Sequence, residues 1–163
     1  MYEALVLPLD PVGVREAARV GLYRHLNRVG KPQRSYYADK PRDLAVDVRA
    51  AVAEWAVARH MMMPWNHLEQ PHLPDVGEDV QVRNHLTLNR ADVTVRWHEA
   101  ESDHRMVWTH VWPTFDFITL LGWLPARWAW ENGHPPPWHD PDSKSRVIGL
   151  DLLMPPPRGA VAA

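Results

Sequence analysis

The segment Pro74-Asp75-Val-Gly-Glu-Asp-Val-Gln81-Val82-Arg83 brings an acid, an amide and a cation into a short span. Asp75 ends one extended piece, and Gly77 to Asp79 can form a tight turn. Gln81 and Arg83 then lie on one face of the next strand, because strand side chains alternate with period two. The turn returns that face beside Asp75. By the same period Asp79 shares the face of Gln81 and Arg83. Phosphodiester cleavage by a hard divalent cation needs such a cluster. Oxygen ligands hold the ion, which acidifies its bound water and offsets charge in the transition state. A neighbouring cation orients the water or supports the phosphate.

A second acid stands apart from this segment. Glu54 sits in Ala51-Val-Ala-Glu54-Trp-Ala-Val-Ala58, and its neighbours three and four positions away are Ala50, Ala51, Val57 and Ala58. A carboxylate among small apolar residues is partly desolvated and calls for a metal or a cation, unless it sits at the helix edge facing water. Near the start of the chain, Arg15, Arg19, Arg24 and Arg28 form two pairs at helical spacing. They read either as a stripe that tracks a phosphate backbone or as a solvated helix face. There are ten histidines, but no His-Glu-x-x-His pattern. His98 and His110 can face each other across two strands. No serine lies in a Gly-x-Ser-x-Gly elbow, and no Gly-rich phosphate loop exists, which argues against serine hydrolases and P-loop or Rossmann nucleotide binding.

The elements that must position these groups follow from periodicity and punctuation. Asp10-Pro11 opens a helix as N-cap and first turn. Val14, Ala17, Ala18, Gly21, Leu22 and Leu26 give it one apolar face. Residues 30–41 read as a loop. A second helix runs from about Arg42 to Met62 and is stopped by Pro64. Residues 64–74 form an extended, proline-rich connection. From Asp75 the period becomes two, and residues 75–121 read as three or four strands in hairpin order, with 99–103 as an acidic turn. A short helix is expected over 124–130, a loop over 131–145 and a short strand over 147–153. The expected class is α/β (α+β): N-terminal helices packed on a mixed, mostly antiparallel sheet of four to five strands. Residues 1–154 are expected to form one domain, and 155–163 a disordered tail.

Composition narrows the setting. The chain has 163 residues, 45% of them hydrophobic, with a net charge of −2 and no cysteine. It can bury a core, and disulfides and thiolate metal sites are excluded. The longest apolar run, 111–127, is broken by Pro113, Asp116 and Pro125 and cannot span a bilayer. The first residues lack the pattern of a secretion signal. A cytoplasm is the expected compartment. Of the nine tryptophans, most lie in the second half. They serve either as core filling or as a stacking or partner surface.

The Glu54 helix, the Pro74-Asp75-Val-Gly77 turn, the Gln81-Val-Arg83 strand, the later hairpin and the Gly122-Trp123 strand end together resemble the PD-(D/E)XK nuclease superfamily. The resemblance covers roughly residues 45–125 and is nearest to small phage-encoded proteins of that type. It implies a restriction-endonuclease-like core and a nuclease, a hydrolase cleaving phosphodiester bonds in DNA or RNA, with DNA the favoured partner, with Mg²⁺ or Mn²⁺, in a host cytoplasm. It makes Asp75 the first metal ligand, puts Gln81 at the usual acidic position and Arg83 at the usual lysine position, and adds Glu54 to the metal site. Two of the three core positions depart from the family pattern. Glutamine is a neutral and weaker magnesium ligand, and arginine cannot act as a base. Either the site is degenerate, or Glu78 or Asp79 supplies the missing carboxylate. The alternatives are a nucleic-acid-binding module that has lost catalysis, with Arg15, Arg19, Arg24 and Arg28 on the backbone, and an interaction protein. The latter would be a phage structural or host-takeover factor, self-associating or gripping a host protein through its Trp-rich half.

Overall fold

The computed structural model describes residues 3–29, 43–68, 73–88, 92–136 and 144–157. The expected loop over 30–41, part of the 64–74 connection, residues 137–143 of the 131–145 loop and residues 158–163 of the expected tail lie outside the described residues. The chain is α+β, with helices on a mixed four-stranded sheet and a second, two-stranded sheet. No helix among the described residues is long and apolar enough to cross a membrane.

Two long helices start as their caps dictate. Asp10 accepts the N–H groups of Val12 and Gly13 at the head of α1, Pro11–Arg28. Asp43 accepts that of Ala45 at the head of α2, Leu44–Met61. Met62, in the left-handed region, ends α2, with Pro64 just beyond. The buried stripe of α1 is Ala17, Gly21 and Arg24. Leu22 and Leu26, expected on that face, are exposed instead. Gly21 is the reason the stripe can bury. A Cβ there would stand 2.6 Å from Cα of Val48, so the two helix backbones cross at a distance only glycine permits.

The larger sheet has the order β1-β5-β4-β2. Its strands are β1, Leu5–Pro8, β2, Val80–Asn84, β4, Arg105–Val111, and β5, Phe117–Pro125. β1 pairs antiparallel with β5, β5 antiparallel with β4, and β4 parallel with β2. The smaller sheet pairs β3, Asp92–Arg96, antiparallel with β6, Ser145–Gly149. β1 was not expected from sequence, and hairpin order holds only between β4 and β5. β2 and β4 run parallel because the chain between them crosses through β3 and the short helix α3, Trp97–Ser102. The stretch read as an acidic turn is that helix. Glu99 stands three residues after Arg96 and accepts its N–H at 2.7 Å, as a capping glutamate does. A last helix, α4, spans Ala126–Asn132. Beyond it, Met154 pairs with Trp123, and the Pro157 carbonyl meets His60 Nε2, so the first residues of the expected tail are tied to the body.

β4 and β5 separate two cores. Val107, Val111, Ile118 and Leu120 pack with Val52, Ala53, Ala56 and Val57 of α2. Met106, Trp108, Leu121 and Leu124 face the other way and pack with Val93, Val95, Ile148 and the alanines of α4. The register shifts at Trp108/Thr109, and period-two alternation gives each of the two strands residues in both cores.

Candidate functional site

The turn that opens β2 is tight and double-bonded. The N–H of Val76 donates to the carbonyl of Val80, and the N–H of Val80 to that of Val76. Gly77 lies in the left-handed region within it. Asn66 holds this turn from behind. Its Nδ2 donates to the carbonyls of Pro74 and Gly77, at 2.9 and 2.8 Å, and its N–H donates to the carbonyl of Asp75. Asp75 is thereby folded back on β2, where its Oδ2 accepts the N–H of Val82 at 2.7 Å. The acid and the strand meet as the turn chemistry suggested.

Above this turn lies a cavity of about 440 Å³. Arg24 and Arg28 of α1, Glu54 of α2, Asp75 and Gln81 all line it, and so do Asn66, His98, Glu99 and His104. Three residues expected to share a site, Glu54, Asp75 and Gln81, are thus brought together from two parts of the chain, α2 and the segment from the turn into β2. Glu54 is buried, and its partner is a cation. Arg24 Nη1 donates to its Oε1 at 2.7 Å, and Trp65 Nε1 donates to its Oε2 at 3.1 Å. Arg24 is itself buried. Its Nη2 donates to the His67 carbonyl at 3.2 Å, and its Nε has no partner among the described residues.

Electrostatics mark Asp75 as the unusual group. Burial and then the Glu54 carboxylate push it up to about 7, against the pull of the Val82 N–H, Arg24 and Arg83. Two acids in a poorly solvated cavity cannot both ionise cheaply. Burial also lowers the pKa of His98, with further help from Arg83 and Arg96 and against the pull of Glu99. His98 is therefore a neutral imidazole at pH 7, able to accept a proton.

Other expected residues are placed differently. Arg83 stands close enough to influence Asp75, but its Nη2 is ion-paired with buried Glu99, and it does not line the cavity. Asp79, expected on the face of Gln81, belongs to the turn rather than to the strand, so period two does not reach it. Its carboxylate takes Arg105 through Nε and Nη2 at 2.8 and 2.7 Å, which lowers its pKa. Asp79 is thus not among the cavity's acids, and Glu78 does not line the cavity either.

The arginine stripe also divides. Arg15 and Arg24 are nine residues apart, about half a turn of rotation at 3.6 residues per turn, so the two pairs occupy opposite faces of α1. Arg24 and Arg28 point to the cavity, with Arg28 also paired to Asp47 at 3.3 Å. Arg15 and Arg19 are exposed, and Arg19 pairs with Glu16.

His98 and His110 do not face each other. His98 lies on α3, and His110 on β4 has its Nδ1 2.8 Å from the His85 carbonyl. Trp108 is fully buried, and its Nε1 donates to the Thr94 carbonyl, so it belongs to the core. Trp97, Trp112 and Trp128 are partly exposed.

The cavity's side chains offer oxygen donors, the class a hard cation takes. Among the described residues, no three His, Asp or Glu side chains gather as a ready metal site. However, magnesium commonly takes only one or two carboxylates and completes its shell with water and substrate oxygens. Asp75, Glu54 and the Gln81 amide oxygen are the cavity-lining groups that could contribute oxygens to such a shell. A divalent charge would also reverse the cost of ionising Asp75 beside Glu54. Comparison with protein-family models, curated proteins and solved structures finds no match to this chain.

Proposed function

We propose that the cavity is the active site of a Mg²⁺- or Mn²⁺-dependent nuclease acting on DNA, a diverged relative of the PD-(D/E)XK enzymes. The observation that carries this reading is the convergence of Glu54, Asp75 and Gln81 in one cavity, with the proton affinity of Asp75 raised by burial and then by Glu54. Asp75 and Glu54 hold the ion, with Gln81 as a neutral third donor. The bound ion supplies an acidified water and offsets charge on the phosphate. Arg24 and Arg28 add positive charge on the α1 side, where a phosphate oxygen can be met by a guanidinium. Arg83 cannot take a proton and is engaged by Glu99. His98, its pKa lowered by burial, lines the cavity and can accept one at a ring nitrogen.

The test is cleavage of labelled DNA by the purified chain with Mg²⁺ or Mn²⁺. Loss of a metal ligand removes several kcal/mol of transition-state stabilisation. Asp75→Asn should therefore slow cleavage about a hundredfold or more. Absence of cleavage with either ion, or an undiminished rate in Asp75→Asn, overturns the proposal.

A second reading has its own support: the position of the usual acidic ligand holds Gln81, and Arg83 is locked to Glu99. The same cavity would then bind nucleic acid without cutting it. Salt-sensitive binding with no cleavage under any ion distinguishes the two.

A further inference from the structure

We infer that the cavity admits one unstacked nucleotide from a single strand or a frayed end, and excludes the intact duplex. This rests on the reading of the cavity as a nucleic-acid site and specifies its substrate. Two independent features carry it. The first is depth and size. The acids and the cation that would meet a phosphate are at the floor, where Glu54 and Arg24 are only 6% and 7% exposed. The space above them, about 440 Å³, is near the lower end of the roughly 300–1,000 Å³ of small-ligand pockets. A phosphate within a duplex is flanked by paired and stacked neighbours and cannot descend to such a floor. A nucleotide released from the stack can.

The second feature is the chemistry of the walls. A cavity built only for phosphate would be polar throughout. Here Leu68 and Leu73 line the cavity although they are 62% and 51% exposed. α3 and the residue pair after it contribute the imidazoles of His98 and His104. Apolar side chains and aromatic rings around a polar floor are what an extruded base requires, one class for contact with its faces and the other for stacking. The buried Nε of Arg24, without a partner among the described residues, adds a donor at the floor for a phosphate or a water bound to one.

The experiment measures binding by fluorescence anisotropy, in EDTA and low salt so that no cleavage intervenes. The probes are a labelled oligothymidylate and a blunt, closed hairpin duplex of the same length. The oligothymidylate should bind at least about tenfold more tightly, the scale of one lost base-stacking contact. Leu68→Ala/Leu73→Ala changes only exposed side chains. It should weaken oligothymidylate binding about fivefold to tenfold and leave the hairpin unchanged. Equal or tighter binding of the hairpin overturns the inference, as does an unaltered oligothymidylate affinity in the double variant. The outcome is separable from the catalytic reading. Single-strand preference without metal-dependent cleavage upholds this inference and sinks the nuclease. Cleavage of duplex and single strand at equal rates does the reverse.

Discussion

Asp75 is costly to the fold at neutral pH, and that cost is measurable. In the folded chain its pKa is about 7, against an ordinary value of 3.8. Between those two values the folded state keeps a proton that the unfolded state has released. The folded state then binds more protons, so stability falls as pH rises through that window and levels off above it. Asp75→Asn keeps an oxygen for the Val82 N–H and removes the charge. In EDTA it should raise stability at pH 8 by roughly 1–3 kcal/mol, with a far smaller gain at pH 5. Urea midpoints of both proteins at the two pH values check this. An equal change at both would mean that ionisation of Asp75 has no part in it. Added Mg²⁺ should narrow the gap at pH 8 by stabilising the parent chain alone, since an ion bound only to the folded state adds to its stability.

At the scale of elements, the site depends on how closely α1 lies on α2. Arg24 reaches Glu54 because Gly21, one turn earlier, lets the helices touch. Gly21→Ala improves intrinsic helix propensity by about 1 kcal/mol. Yet its Cβ would meet Val48 Cα at 2.6 Å and the Asp47 carbonyl oxygen at 2.8 Å, and neither backbone atom can swing aside. The variant should be destabilised by about 1–3 kcal/mol net, read as a lower urea midpoint. A neutral or stabilising result would show that the helices separate freely. The same elements explain what could be read in advance. The helices, the turn at Gly77 and the return of Asp75 to the strand were legible, because caps, prolines and a glycine turn act locally. The partner of Glu54 was not, because Arg24 lies thirty residues away and only the helix crossing joins them. Nor was the parallel pairing of β2 with β4, since alternation marks a strand but not its neighbour. α3 escaped because six residues are too few to show a helical period. Asp79 was misplaced because a strand period was extended one residue into a turn.

For the molecule as a whole, β4 is the element on which both cores depend. Val107 and Val111 belong to the core under α2, and Met106 and Trp108 to the core under the small sheet and α4. The site draws on both sides. Glu54 and Asp75 come from the α2 side, whereas His98 and Glu99 stand on α3, which packs against α4 and β3. Loss of either core should therefore dismantle the cavity, and the two cores should unfold together. Trp108 is the sharpest probe. It is fully buried, and its Nε1 holds the Thr94 carbonyl. Trp108→Phe removes that bond and leaves a small void, at a cost of about 1–3 kcal/mol. Trp108→Ala should cost about 3–5 kcal/mol. Far-UV circular dichroism weighs α1 and α2 most heavily, whereas tryptophan fluorescence samples both cores, through Trp130 on one and Trp55, Trp65 and Trp123 on the other. In Trp108→Phe both signals should shift to lower urea by the same amount and remain superimposable, the mark of one cooperative unit. A helical signal that stays at the parent midpoint while the fluorescence moves would mean that the cores melt separately. The α1–α2 face of the cavity would then persist without α3 and its imidazoles.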